Sequence, residues 1–214
     1  MQLRRIISTK RNKALPLPSN STFKTMMLSI FDDMTQVTET EVERMLNIVG
    51  EPQRSEALRF KHLAGRFEHL KTWLMLVEML KSMGVTNFEL QHNEHGKPSL
   101  LHYPDIHFNI SHCKNALMVG VSEKPIGVDV ERVRNADIAL VERTMNREER
   151  DCILNAADRA LKFTELWTRK EAWLKWKGTG IIDDLENVLL DVDENRIITR
   201  SEPEKGYVWS LISE

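Results

Sequence analysis

Residues 126–131 read Ile-Gly-Val-Asp-Val-Glu. In an extended chain alternate side chains share a face. Ile126, Val128 and Val130 are therefore expected to enter a core, with Asp129 and Glu131 standing together on the opposite side beside Gly127. Two positions along a strand span roughly 6.5–7 Å, and two like charges that far apart repel by roughly 2.5 kcal/mol at an effective dielectric of about 20. A divalent cation reverses the sign of that term, and two carboxylates with phosphate oxygens and water are ordinary magnesium ligation. Gly127 removes a side chain next to the pair, which predicts close approach of a ligand to the backbone. Taken alone, the hexapeptide is better explained as an amphipathic edge strand with its acids in solvent. The segments on either side change that balance.

Downstream, residues 166–178 read Leu-Trp-Thr-Arg-Lys-Glu-Ala-Trp-Leu-Lys-Trp-Lys-Gly, inside a helix expected over 159–177 and closed by Gly178 and Gly180. Glu171 and Lys175 are four apart and share a face. Phe163, Leu166, Trp167 and Leu174 form a neighbouring apolar stripe, predicted to press the helix onto the sheet. On that reading Glu171 completes an acidic triad with Asp129 and Glu131, and Lys175 meets phosphate charge. A solvated Glu–Lys pair, worth a few tenths of a kcal/mol, is the plainer account of the same spacing.

Upstream lie His95-Gly96-Lys97-Pro98 and His107-Phe108-Asn109-Ile110-Ser111-His112-Cys113. Lys97, Ser111 and His112 carry donors suited to phosphate oxygens. Five of the seven histidines fall between His92 and His112, but their spacing fits neither His-Glu-x-x-His nor a Cys/His finger. Gly-x-Ser-x-Gly, a Walker loop and GxGxxG are all absent.

Further out, strands are expected at 26–31, 86–91, 106–111, 116–122, 186–192, 195–199 and 207–212. A helix is expected over 38–49, capped by Thr38, and a long helical stretch over 53–82, broken near Gly65 and stopped at Gly84. Asn146 with Glu149 marks another helix start. Helices, strands, helices, strands is an α+β order, read as two similar α/β halves. The division is residues 22–110 and 111–214, the second half carrying the acidic metal site. Residues 1–21 hold no acid and several basic residues, as does the chain up to Asp32. They are read as a basic, disordered segment, with a transit peptide or a start codon upstream of the native one as further explanations.

The 214 residues are 41% hydrophobic, enough for a core without staples. A net charge of -2 disfavours a nucleic-acid partner, and no apolar run is long enough to span a membrane. Two cysteines outside any CxxC pattern suit a reducing cytoplasm.

GKP with FNISH, then GVDVE, then LWTRKEAWLKWKG, in that order, resemble the phosphopantetheinyl transferases, and among them the larger, surfactin-synthetase-type single-chain class. The resemblance covers roughly residues 50–190. It implies two halves related by a pseudo-twofold with coenzyme A between them, and such a joined two-half chain could work as a monomer. It implies transfer of 4'-phosphopantetheine from coenzyme A to a serine of an apo acyl or peptidyl carrier protein, with release of adenosine 3',5'-bisphosphate. It implies Mg2+ held by Asp129, Glu131 and Glu171, Lys175 near the pyrophosphate, and Lys97, Ser111 and His112 on the phosphates and nucleotide end. Basic residues at the start of the first long helix are implied to bind the 3'-phosphate. Arg54 and Arg59 are preferred over Lys61 and Arg66, although no motif sets the register. Asp129, Glu171 and Lys175 are the expected catalytic groups. Glu171, a water it orients, or Glu131 is the expected base. A cationic docking surface for an acidic carrier helix is implied; Arg143–Arg150 could contribute to it, although a solvated helix face is the plainer account of that stretch. The competing readings are another magnesium-dependent phosphoester-cleaving enzyme and a non-catalytic module that captures carriers. The carrier's pathway, whether fatty-acid, polyketide, peptide-synthetase or lysine, is not written in these residues.

Overall fold

The alternation of residues 126–131 decides the architecture. They form β6 (Ile126–Arg132), in which Ile126, Val128 and Val130 are fully buried. A computed structural model describes residues 26–180, 182, 184–190 and 192–214, so the expectation for residues 1–21 lies outside the described residues. β6 pairs antiparallel with β8 (Tyr207–Ser213), which pairs with β7 (Ile197–Glu202), in the order β6-β8-β7. A second three-stranded sheet has the order β1-β5-β4, from β1 (Met26–Phe31), β4 (His107–Cys113) and β5 (Ala116–Ser122). Both sheets run first strand, last strand, middle strand.

Four layers result. α3 (Leu63–Ser82) covers one sheet and α6 (Arg159–Lys177) covers the other. The sheets meet through Met26, Leu28 and Met118 against Ile126, Val128, Val130, Trp209 and Leu211. β5 and β8 are buried at every position, as strands covered on both faces must be. A Cβ at Gly120 would stand 2.8 Å from Ile126 and 2.9 Å from Val128, so this glycine sets the sheet-to-sheet spacing. β4 and β6 lie side by side without a backbone ladder. Instead the Val128 N–H donates to Asn109 Oδ1 at 2.8 Å and the Val130 N–H to Ser111 Oγ at 3.2 Å.

The remaining helices are α1 (Glu39–Leu46), α2 (Gln53–Arg59), α4 (Ile138–Thr144) and α5 (Arg147–Asn155). Thr38 caps α1 through the Glu41 N–H, and Asn146 with Glu149 forms a full capping box on α5. α4 is not announced by the sequence, because seven residues are too few to display a period. The long stretch 53–82 breaks at Phe60–His62, ahead of Gly65, whose missing Cβ accommodates the Phe60 ring. The strand expected at 86–91 is only β2 (Leu90–His92), hairpinned to β3 (Pro98–Leu100). Residues 186–190 form a turn rather than a strand. The expected division at 110/111 falls inside β4; the sheets separate instead at the turn between Ser122 and Ile126. No helix among the described residues is long and apolar enough to cross a membrane.

The sheet-facing side of α6 also differs from expectation. Phe163, Leu166 and Trp167 pack with Met145 and Ile153 toward α4 and α5. Thr168 meets the second sheet through Ser210 Oγ at 2.8 Å, and Ala172 lies four residues on, packed with Ile197 and Ile212. These small residues let α6 approach so closely that a Cβ at Gly127 would lie 2.1 Å from Ala172 O and 2.5 Å from Trp176 N. Gly127 therefore admits a helix backbone rather than a ligand. Gly127→Ala is expected to cost about 3 kcal/mol, because backbone rather than a flexible tip must move. Urea unfolding measures it, and an unchanged midpoint would refute the close contact.

Candidate active site

The contact at Gly127 brings Glu171 and Lys175 over β6. Lys175 Nζ lies 2.6 Å from Asp129 Oδ1 and donates to Ser111 Oγ at 2.9 Å. Ser111 Oγ donates to Asp129 Oδ1 at 2.8 Å and accepts the Val130 N–H. Asp129 is 2% exposed, and its Oδ2 is buried and meets no donor among the described residues. Glu171 and Glu131 are half-buried. Burial, and then the negative charge of Asp129, hold the Glu171 carboxyl above its ordinary value; Lys175 opposes this and Glu131 adds to it. Burial and then Asp129 do the same to Glu131, with Arg134 and Lys175 opposing. The three acids thus lie within one another's electrostatic reach, with one lysine beside them.

That set lacks positive charge. An orphaned carboxylate oxygen and two carboxyls that resist ionising are what a divalent cation would relieve, so these oxygen donors suit Mg2+. As placed, no three His, Cys, Asp or Glu side chains among the described residues are gathered closely enough to share an ion.

The raised carboxyls carry a consequence for stability. Because Glu171 holds its proton more tightly when folded, it costs stability as pH rises through the window between its unfolded and folded values, and the cost persists above it. Below both values nothing is lost. Glu171→Gln is therefore expected to raise the Tm of the metal-free protein at neutral pH, and to lose that advantage once the wild-type carboxyl is protonated in both states. Scanning calorimetry at the two pH values checks it; a Tm gain that persists in acid would rule out the carboxylate's charge as its source.

In front of this group is a cavity of about 290 Å³ lined by His95, Gly96, Lys97, Pro98, Asn109, Ile110, Glu171, Leu174, Lys175, Gly178 and Gly180. It lies between the turn of the β2–β3 hairpin and the end of α6. Asn93 fastens the two: its Oδ1 accepts from the Lys97 N–H at 2.8 Å, and its Nδ2 donates to Gly178 O at 2.9 Å. Lys97 Nζ reaches Trp176 O at 2.9 Å, and burial lowers the pKa of this lysine. Gly178 is needed twice, for its φ of 72° and because a Cβ there would press on Lys97 Cδ at 2.8 Å.

Of the residues singled out in the sequence, Asp129, Glu131, Glu171, Lys175, Ser111 and Lys97 are brought to this region. His112 is exposed at its edge, with Nδ1 3.4 Å from Glu68. Arg54 and Arg59 are not part of it. Arg54 bonds Leu46 O, and Arg59 lines a separate cavity with Glu56, Phe60 and His69. Both belong to α2, which ends before α3 begins, so the start of the long helix is a different place from that expected.

Lys170, Asn93 and Asn109 contribute without being expected from the sequence. Lys170 is fully buried, donates to Leu185 O at 2.8 Å and Glu186 O at 2.9 Å, and pairs with Glu149 at 2.8 Å. No spacing could announce a partner on another helix. Asn109 could have been found, since it shares the strand face of Ser111.

Residues 125–213 match the family model described as the 4'-phosphopantetheinyl transferase superfamily, the span that holds β6, α6, β7 and β8. The chain is 28% identical over 160 residues to the 4'-phosphopantetheinyl transferase psf-1 of Bacillus pumilus, covering 72% of this chain and 69% of that protein. It is 24% identical over 150 residues to the 4'-phosphopantetheinyl transferase Sfp of Bacillus subtilis, covering 68% and 67%. It is 30% identical over 156 residues to a putative 4'-phosphopantetheinyl transferase of Haemophilus influenzae, covering 70% and 64%. Along most of its length the chain is thus similar to 4'-phosphopantetheinyl transferases, surfactin-type members among them.

Proposed function

We propose that this chain transfers 4'-phosphopantetheine from coenzyme A to a serine of an apo carrier protein, releasing adenosine 3',5'-bisphosphate. The observation that carries the reading is the cavity in which Lys97, Lys175 and Glu171 converge, backed by Asp129 and Glu131. Two ammonium groups there suit a diphosphate. Asp129, Glu131 and Glu171 would hold Mg2+, which when bound offsets the charge building on the diphosphate. The carrier serine oxygen bonds to the phosphorus that bears pantetheine, and the bond from that phosphorus to the bridging oxygen breaks. Glu171, or a water it orients, takes the serine proton, being the carboxylate that lines the cavity beside Lys175. Lys175 stabilises the departing phosphate oxygen.

The matching strand order of the two sheets, each with a long helix outside it, supports two halves related by a pseudo-twofold. One chain supplies every residue of the site, so a monomer suffices. The carrier is assigned to the α4–α5 face. There Ile138 is 76% and Leu154 57% exposed beside Arg150 and Arg159, an apolar patch with a cationic rim suited to an acidic helix. The free thiols Cys113 and Cys152 support a cytoplasmic setting for the reaction. The test is to incubate the protein with coenzyme A, magnesium and a panel of apo carriers, then weigh the carriers by mass spectrometry. A phosphopantetheine adduct on the carrier serine is expected. Cleavage of coenzyme A without any adduct would point instead to a phosphoester-cleaving enzyme.

A further inference from the structure

Trp176 and Lys177 follow Trp173 by three and four positions and share one side of α6 with it. With Val188, Ile212 and Arg196, the last from the turn before β7, they line a cavity of about 330 Å³ that has no lining residue in common with the reaction cavity. No acid lines it among the described residues. Arg196 Cζ lies 4.7 Å from the centre of the Trp176 ring, and Lys177 Nζ lies 4.8 Å from the same centre and 5.4 Å from that of Trp173. Stacking on the indoles accounts for cations here, but it leaves two donors unused. Arg196 Nε donates to Ser213 O at 3.3 Å, whereas Arg196 Nη2 and Trp176 Nε1 are buried and meet no acceptor among the described residues. Guanidinium and indole N–H groups can only donate, and buried donors are nearly always paired in the working protein.

We propose that this cavity is a second ligand site, for a small organic carboxylate. The carboxylate oxygens accept from Arg196 Nη2 and Trp176 Nε1 beside the Lys177 ammonium, and the apolar body lies on the indoles, Val188 and Ile212. The anion supplies the acceptors that the guanidinium and the indole lack, and the apolar body matches the rest of the lining. The site does not depend on the transferase reading, because none of these side chains belongs to the acidic group or to the reaction cavity.

The test titrates hexanoate, its neutral counterpart hexanamide and inorganic phosphate into the whole 15N-labelled chain. The chain has five tryptophans, and the indole N–H signal of Trp176 is the one lost in Trp176→Phe. That signal is expected to shift and saturate with hexanoate, half-way in the millimolar range open to so small a ligand. Hexanamide lacks the charge and phosphate lacks the apolar body, so each is expected to bind at least about tenfold more weakly. Arg196→Met keeps a side chain on the Trp176 ring but gives up the donors, and is expected to weaken hexanoate roughly 10–100-fold, the worth of a hydrogen bond to a charged group. A Trp176 signal that hexanoate leaves unmoved overturns the proposal. So does hexanamide or phosphate binding as tightly as hexanoate, and so does undiminished binding in Arg196→Met. The comparison of the three probes is made on the unaltered protein, so it decides the matter even where Arg196→Met fails to fold.

Discussion

Asp129→Asn is expected to lower kcat/KM for carrier modification by about 10²–10³-fold, the usual cost of removing one preorganised electrostatic group from a reaction centre. The substitution preserves shape. Asn Oδ1 can still accept from Ser111 Oγ and Lys175 Nζ, the two groups now on Asp129 Oδ1. What disappears is the charge that pairs with Lys175 and the free Oδ2 that suits a cation. Removing that charge also eases ionisation of Glu131 and Glu171, because Asp129 is the leading charge that holds both up. The apo protein should therefore stay folded, with circular dichroism close to wild type, while carrier conversion by mass spectrometry collapses. Near-normal turnover in magnesium would remove Asp129 from the reaction centre.

The second large effect is on stability. Lys170 is a fully buried ammonium on α6. Burial pulls its pKa down, and Glu149 opposes that. Glu149 in turn accepts from Asn146 N at 2.8 Å, so one carboxylate caps α5 and neutralises α6. Lys170→Ala leaves the half-buried Glu149 carboxylate without its cation and two carbonyls, Leu185 O and Glu186 O, without their donor. Breaking a buried pair in this way costs about 3–5 kcal/mol, a large part of the roughly 5–15 kcal/mol that holds a domain together. The urea midpoint should fall with the slope unchanged. A loss below about 1 kcal/mol, the range of an exposed pair, would mean that the ammonium is not confined as described.

These two residues mark what a reader of the chain alone could and could not see. Asp129 is visible because strand alternation is a local rule, and Ile126, Val128 and Val130 declare the opposite face. Lys170 stands beside Glu171 in the same helix, but its partner lies 21 positions earlier, and nothing in the intervening residues announces the pairing. The arginines show the limit from the other side. Basic residues before a helix are easy to name, yet Arg54 and Arg59 go with α2 once the chain breaks at Phe60–His62.

The order of residues by itself determined most strands and helices, the capping box at Asn146 and Glu149, and the separate identities of the acidic and basic groups. All of these obey periods or contacts only a few residues long. Tertiary structure decided which face of α6 meets the second sheet, and through it whether Glu171 and Lys175 reach Asp129. That choice turns on shape. Small side chains at Thr168 and Ala172 and the missing Cβ of Gly127 allow a backbone approach that the larger apolar stripe could not achieve. Complementarity between surfaces 40 or more residues apart has no period for a reader of one chain to detect.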